Sequence, residues 1–246
     1  MNKITTAIAA STLLVGLASA AVTTAQASVW SSTKVEGLYG QDYARGFNGA
    51  DKDEAIFTIA NATGFTWGDT YFFADVTNIS NADDTSGTHL EFGPRYRFFK
   101  PEDNSVIKGV YGIVQADMTS NKFTTKIVKM AGGSLDWNVS GFKFVKTHLQ
   151  YRDDPTKDGS SVQFNLVWSK DFSISDEKFS FEGFLDWTSG EGEGFGSESN
   201  LLMQPQVLWH ANESFAVGVE YQYWKNRLGI DGRDESVPQI MVRWTF

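Results

Sequence analysis

The sequence contains no cysteine among its 246 residues, so disulfide frameworks and thiolate chemistry are excluded. Proline is scarce, with 5 residues. Beyond the amino terminus no stretch approaches the roughly 20 consecutive apolar residues that a spanning helix needs, so a bundle of membrane helices is excluded as well. Basic residues number 21 against 30 acidic ones, which gives a net charge of −9. A chain this acidic is a poor candidate for binding nucleic acid.

The one long apolar run lies at the amino terminus. A lysine precedes a short apolar core over Ala7–Leu17, and small residues follow it. This order is typical of a cleaved secretory signal peptide, residues 1–27, and the core is too short to favour the alternative, a spanning helix. Cleavage is expected after Ala27, with Ala20 as the second choice. The exported domain is then residues 28–246.

Aromatic residues are abundant, with 8 Trp, 8 Tyr and 19 Phe. They recur at every second position in segments of about ten residues, a spacing that predicts half-buried strands. In the last segment Ile240, Val242, Trp244 and Phe246 share one face of an extended strand. We count twelve such segments: Ser32–Gly40, Glu54–Phe65, Asp69–Thr77, Thr88–Phe99, Ser105–Ala116, Phe123–Leu135, Phe142–Arg152, Ser161–Lys170, Phe179–Trp187, Asn200–Trp209, Ser214–Trp224 and Val237–Phe246.

The connections between these segments alternate in character. Odd-numbered connections are longer or more acidic, namely residues 41–53, 78–87, 153–159, 188–199 and 225–236, with the third, 117–122, as the weakest member. Even-numbered connections are short: residues 66–68, 100–104, 136–141, 173–178 and 210–213. An even number of antiparallel strands with long loops at one end and tight turns at the other is the layout of an outer-membrane barrel. We therefore predict an all-β fold, a transmembrane antiparallel β-barrel of twelve strands, with short periplasmic turns and longer extracellular loops.

The energetics of lipid exposure assign the two faces of each strand. If the aromatic stripes faced inward, charged residues such as Arg95 and Glu182 would face lipid, and each Arg near the midplane would cost about 2–4 kcal/mol. The stripes are therefore expected to face lipid, with polar residues lining the interior. An exported soluble barrel or sandwich of eight to ten strands shows the same alternation with apolar residues inside. The terminal aromatic Phe246 disfavours it, and resembles the signal by which the barrel-assembly machinery recognises its clients.

The inward phase of the strands supplies the candidate site. Acidic and basic side chains nearly balance there, which suits a small neutral polar solute or a salt-bridged wall. Four aromatic residues fall in the inward phase, where a ring could stack on a planar base at about 1–3 kcal/mol per contact. A plug of packed side chains, or a bulge that shifts the phase, is the alternative. The candidate solute-binding residues are Tyr71, Phe73, Asp75, Glu91, Arg95, Arg97, Glu182, Phe184, Asp186, Glu220 and Trp224.

Catalytic and cofactor signals are weak. The three histidines, His89, His148 and His210, show no metal-ligand spacing. We therefore predict neither an enzyme nor a bound cofactor or metal, with a barrel hydrolase using His148 as a distant alternative. The acidic loops could bind divalent cations that bridge to lipopolysaccharide, although a solvated surface is favoured. Their carboxylates are those of Asp83, Asp84, Asp153, Asp154, Glu191, Glu193, Asp234 and Glu235.

Five stretches together resemble a known family: Trp67–Asn78, Leu90–Phe98, Val139–Asp154, Leu202–His210 and Val217–Phe246. They resemble the nucleoside-specific channel-forming porins of the Tsx type, and most closely the branch that contains abundant outer-membrane proteins and phage receptors. The resemblance implies a monomeric twelve-stranded barrel in the outer membrane of a Gram-negative bacterium. Its narrow, keyhole-like lumen would pass nucleosides and deoxynucleosides down their gradient.

The resemblance extends to single residues of the candidate site. Asp75, Glu91, Pro94 and Arg95 lie in stretches that are typical of the family. We therefore expect passive diffusion of small solutes, nucleosides foremost, through the barrel. The alternative is a surface receptor or adhesin, a phage receptor for example, with a plugged barrel and its function in the extracellular loops.

Overall fold

A computed structural model describes residues 28–44, 52–78 and 86–246. The predicted signal peptide and the acidic pair Asp83 and Asp84 lie outside the described residues. Twelve strands follow one another along the chain: β1 Trp30–Tyr43, β2 Lys52–Phe65, β3 Gly68–Thr77, β4 Gly87–Phe99, β5 Ile107–Asn121, β6 Thr125–Trp137, β7 Phe144–Asp153, β8 Ser161–Ile174, β9 Glu177–Thr188, β10 Asn200–His210, β11 Phe215–Lys225 and β12 Glu235–Thr245. A short 3-10 helix, Arg227–Gly229, lies between β11 and β12.

Each strand pairs antiparallel with its neighbours, and β1 pairs with β12 to close the barrel. The closing ladder runs from Lys34 opposite Thr245 to Gly40 opposite Gln239. At its end the Phe246 amide donates to the Thr33 carbonyl oxygen at 2.9 Å. Closure leaves no strand edge, which is the condition for crossing hydrocarbon as strands. The predicted twelve-stranded antiparallel β-barrel is confirmed.

The two ends of the barrel differ. One end, here called the turn end, holds the start of β1, the end of β12 and the connections 66–67, 100–106, 138–143, 175–176 and 211–214. The other, the loop end, holds the ends of β1 and β3 and the connections 122–124, 154–160, 189–199 and 226–234. The third loop, 122–124, is the exception to the predicted length pattern, because β5 continues through the polar residues up to Asn121. None of the helices in the described ranges has the length and apolarity to cross a membrane.

The side chains of the terminal strand show which face is which. Ile240 is 67% exposed and Phe246 74%, whereas Gln239, next to Ile240, is fully buried and Arg243 is 4% exposed. The same outward pattern of large apolar side chains recurs on the other strands. The polar face therefore lines the interior and the aromatic stripe is outside, as predicted. The interior also holds an apolar cluster that includes Leu38, Leu208 and Met241.

This assignment predicts opposite effects for two adjacent residues in the middle of β5. Val114 points outward and is 56% exposed, whereas the Gln115 amide bonds inside the barrel. Val114→Arg is expected to destabilise the folded barrel by about 2–4 kcal/mol, because an arginine at the midplane faces hydrocarbon. Gln115→Arg, the matched control, should leave the barrel folded. Urea titration of the two variants in lipid vesicles checks the prediction, and equal midpoints would contradict it.

Candidate functional site

The strand register shows which side chains point into the interior of the barrel. Directly opposite residues of an antiparallel pair lie on the same face of the sheet. Phe73, two residues after Tyr71 on β3, is opposite Glu91 on β4, and Phe184 on β9 is opposite Gln204 on β10. The aromatic residues therefore lie on the same face of the sheet as the polar side chains of the interior, as the sequence predicts.

A ladder of amides and carboxylates follows the wall from β4 to β9. The Gln115 amide donates to Glu91 at 3.0 Å, and the Gln150 amide donates to the Gln115 oxygen at 3.2 Å. Gln150 also donates to the Asn165 oxygen at 3.2 Å, and the Asn165 amide donates to Asp186 at 2.6 Å. The amide N–H groups of the ladder are thus bonded to neighbouring side chains of the wall. Each end of the ladder is a carboxylate, which can accept hydrogen bonds from solute hydroxyl or amino groups.

A second polar group lies on the opposite arc, around Glu220 of β11. Its carboxylate accepts hydrogen bonds from the amides of Gln204 at 2.8 Å, Gln206 at 2.5 Å and Gln239 at 2.9 Å. Glu220 is 5% exposed. Three donors on one buried carboxylate fix these side chains in place, so this arc is a rigid wall.

Aromatic rings form a continuous surface on β3 and β4. The ring centroids of Tyr71 and Phe73 are 6.0 Å apart, and those of Phe73 and His89 are 5.7 Å apart. His89 is held by Glu91 at 3.1 Å and by Thr119 at 3.1 Å. Tyr71 is 47% exposed although it lies on the interior side. Open space therefore borders this ring inside the barrel.

A second aromatic, Phe184, reaches the interior from β9. Strands β3 and β9 are six places apart in the ring of twelve, so they are diametrically opposite. The neighbouring Gly183 has φ +149°, and a Cβ there would lie 2.4 Å from the Gln204 carbonyl oxygen. Glycine thus allows β9 to approach β10 closely beside Phe184.

The two opposite strands carry the same inward order of residues. From the turn end, β3 presents Asp69, then the aromatic pair, then Asp75. Strand β9 presents Glu182, Phe184 and Asp186. Both strands run in the same direction, so on each of them acidic residues precede and follow the aromatic residues along the strand.

At the turn end of the interior a buried arginine ties β3, β4 and β6 together. Arg95 is 3% exposed; its Nε donates to Asp69 at 2.8 Å and its Nη1 to Asp136 at 2.6 Å. The Arg95 guanidinium also bonds Ser134 at 2.8 Å and lies 4.3 Å from the Tyr111 ring centroid. Every face of this cation is occupied, so Arg95 is a structural tie within the described network.

Arg243 forms a second tie on the other side. It donates to Glu36 at 2.5 Å, to Gln206 at 2.7 Å and to Glu182. These contacts join β12 to β1, β10 and β9. The interior near the turn end is therefore held by two charge clusters, one around each arginine.

The eleven candidates are spread along the length of the barrel. Tyr71, Phe73, Asp75, Glu91, Phe184, Asp186 and Glu220 occupy the middle, and Arg95 and Glu182 the level nearer the turn end. Arg97 lies apart at the turn end, where it is exposed and donates to the Thr66 carbonyl oxygen at 2.9 Å. Trp224 lies at the loop end, where its Nε1 donates to Asn200 at 3.3 Å. Solute contact by any of them remains a prediction.

Sequence reasoning missed several interior charges, among them Lys34, Glu36, Asp69, Asp117 and Asp136. Each falls in the inward phase of its own strand, so the alternation could have found it. Asp69, for example, is two residues before Tyr71 and is on the same face.

Two carboxylates at the loop end are buried and form ion pairs, which the sequence did not predict. Asp154 is 1% exposed and Glu191 3%. Arg152 Nη1 lies 2.5 Å from Glu191, and Lys126 Nζ lies 2.5 Å from Asp154. The expected solvated surface is wrong for these two residues, because their cations lie on the rim of the barrel itself. It is also wrong for Glu235, which is 3% exposed and lies 3.6 Å from Arg227 Nε. We call the group of Lys126, Arg152, Asp154 and Glu191 the rim cluster.

The pKa of Asp154 makes the rim cluster testable. Burial acts to raise this pKa, but hydrogen bonds from Lys126 and Thr156 outweigh it and hold the pKa well below its usual range. A carboxyl with a lowered folded-state pKa contributes stability above its ordinary pKa of about 4 and loses it as the pH falls through the lowered value. The rim cluster should therefore persist from neutral pH to below pH ~4.

Asp154→Asn is expected to loosen the loop 154–160 at neutral pH, since it removes the charge that Lys126 pairs with. Trypsin cleavage after Lys157 should become faster, while the barrel remains intact. Asp153→Asn, at the exposed neighbouring position, is the control. Equal cleavage rates in the two variants would show that Asp154 does not hold the loop.

A further interior histidine is His148 on β7. It is opposite Ser134 and Asn165, and its Nδ1 is buried without a hydrogen-bond partner. No cluster of three or more His, Cys, Asp or Glu side chains suited to a metal ion occurs within the described ranges.

Comparisons with known proteins agree with this architecture. A profile of the nucleoside-specific channel-forming protein, Tsx, matches residues 27–244. The outer membrane protein OmpK of Vibrio parahaemolyticus is 26% identical over 185 residues, which cover 73% of this chain and 66%, just under two thirds, of the relative.

Among solved structures, the NanC porin overlays with a TM-score of 0.51 at 12% identity, covering 86% of this chain and 98% of that one. The KdgM porin gives 0.49 at 13% identity, covering 87% and 99%. The first of these likenesses shows the barrel fold. The chain belongs to the family of Tsx-type, nucleoside-specific channel-forming proteins.

Proposed function

We propose that the barrel carries nucleosides and deoxynucleosides by passive diffusion. The observation that supports this most is the pair of aromatic surfaces, Tyr71 with Phe73 on β3 and Phe184 on β9, on diametrically opposite strands. A planar base that passes between them can lie against a ring on either side. Each such contact contributes about 1–3 kcal/mol in single-strand nucleic-acid grooves.

The polar lining suits the sugar of the same solute. Ribose hydroxyls are donors, and the carboxylates of Asp75 and Asp186 lie one inward position beyond the aromatics on their strands. Amide oxygens and carboxylates can accept from these hydroxyls. Contacts of this strength are weak enough for the solute to leave, which a diffusion channel requires.

The same proposal covers the setting of the channel. It acts in the outer membrane of a Gram-negative bacterium as a monomer, with both termini in the periplasm and the loop end facing the medium and its lipopolysaccharide. Phe246, 74% exposed at the end of the closing strand, is available to the barrel-assembly machinery.

Solute flux into proteoliposomes tests the proposal. Labelled adenosine should enter faster than labelled xylose at equal concentration although adenosine is the larger molecule, because only adenosine gains stacking contacts. Liposomes without protein supply the background rate. Entry rates that simply fall with solute mass would make the protein a general small-solute pore and would remove the nucleoside proposal.

A further inference from the structure

Two lysines extend across the interior rather than along its wall. Lys34 Nζ on β1 lies 3.2 Å from Glu182 Oε2 on β9. Lys146 Nζ on β7 lies 3.6 Å from Asp69 Oδ2 on β3. In both cases the two strands are four places apart in the ring of twelve. We call these two ion pairs, Lys34–Glu182 and Lys146–Asp69, the lysine bars.

The two bars connect the same two walls of the barrel. Strands β1 and β3 flank β2, and β7 and β9 flank β8. Each bar therefore joins the β1–β3 wall to the β7–β9 wall, one on each side of the line from β2 to β8. One bar separates the arc β4–β6 from the centre, and the other separates the arc β10–β12.

Both outer arcs are packed with side chains behind the bars. On one side Arg95 is 3% and Tyr111 8% exposed; on the other Leu208 is 0%, Met241 2% and Arg243 4% exposed. The lysine side chains keep 33% and 23% of their surface exposed. The open section at this level is therefore the slot between the bars.

We propose that the lysine bars are the size filter of the channel, a slot that passes planar solutes edge-on and rejects bulkier ones. The inference rests on the proposed function, since it places the filter on the path that nucleosides would take. Tyr71 is the next inward position after Asp69, and Phe184 is the next after Glu182. The slot thus opens directly onto the two aromatic surfaces.

The filter can be removed without leaving a buried charge alone. Asp69 is also bonded by Arg95, and Glu182 is also bonded by Arg243. When a lysine is shortened, its carboxylate keeps an arginine partner. The fold should therefore survive substitutions that open the slot.

The test compares the double variant Lys34→Ala, Lys146→Ala with Lys100→Ala, whose lysine lies in a turn with 63% of its side chain exposed. Folding is verified by the heat-dependent gel mobility of intact barrels. Single-channel conductance in potassium chloride should rise about twofold or more in the double variant, because the narrowest section widens. Labelled sucrose should be excluded by the wild type and by Lys100→Ala, and should enter vesicles that contain the double variant.

Wild-type conductance and continued exclusion of sucrose in folded double variants would overturn the filter. If the double variant does not fold, the two single variants are measured, each with an intermediate increase expected and an unchanged conductance counting against the proposal. Adenosine flux separates the two claims. If adenosine flux through the wild type shows no preference but the double variant conducts more, the nucleoside proposal is removed and the filter is supported. If the wild type prefers adenosine but the double variant conducts as the wild type does, the filter alone is removed.

Discussion

Replacing Arg95 by alanine is expected to destabilise the barrel by about 3–5 kcal/mol, because the change removes a buried cation and leaves two half-buried carboxylates without their main partner. Asp69 and Asp136 both accept from this guanidinium, and Lys146 at 3.6 Å serves only Asp69. Urea unfolding of the variant in lipid vesicles, followed by tryptophan fluorescence, measures the loss.

Two controls separate this buried tie from an ordinary ion pair. Lys143→Ala removes the partner of Asp171, which lies 3.8 Å away with both side chains 64% exposed, and should cost less than about 1 kcal/mol. Adding Asp69→Asn and Asp136→Asn to Arg95→Ala should restore part of the lost stability, since the uncompensated charges are then gone. A loss for Arg95→Ala no larger than that for Lys143→Ala would show that the cluster is not a tie.

Removing the aromatic surfaces should weaken nucleoside binding without closing the channel. Tyr71→Ala and Phe184→Ala are each expected to raise the concentration of adenosine that half-blocks the current by about 5–150-fold, the equivalent of losing 1–3 kcal/mol of stacking. Tyr71→Phe keeps the ring and should keep the block. Conductance without adenosine should change little or rise.

Phe92→Ala is the matched control for the aromatic variants. Phe92 lies next to the site in sequence but faces outward and is 45% exposed. Its loss should leave the adenosine block as in the wild type. Equal weakening in Phe92→Ala and Tyr71→Ala would mean that the effect comes from general disturbance of the barrel.

Most of the fold could be predicted from the sequence because the two-residue alternation is local. In β12 the spacing of Ile240, Val242 and Trp244 defines the outer face, and the structure agrees. The inward phase of Tyr71, Phe73 and Phe184 follows from the same rule. Alternation assigns a residue to a face of its strand, and closure of the barrel then makes that face the inside or the outside.

What the sequence could not supply is the contact across the barrel. Lys34 and Glu182 are 148 residues apart, and no local pattern indicates which inward side chains meet. Strand register and stagger decide that, and they depend on the closed ring as a whole. The rim cluster is a similar case, since the acidic loops look solvated until Arg152 and Lys126 are placed beside Asp154 and Glu191.

The most direct test of the nucleoside channel is a titration of adenosine into single-channel recordings of the purified wild-type protein in a planar bilayer. The arrangement of Tyr71, Phe73 and Phe184 predicts small conductance steps that adenosine closes saturably, whereas glucose at the same concentration leaves them open. Steps that respond to neither solute, or equally to both, would contradict a nucleoside site between the two aromatic surfaces.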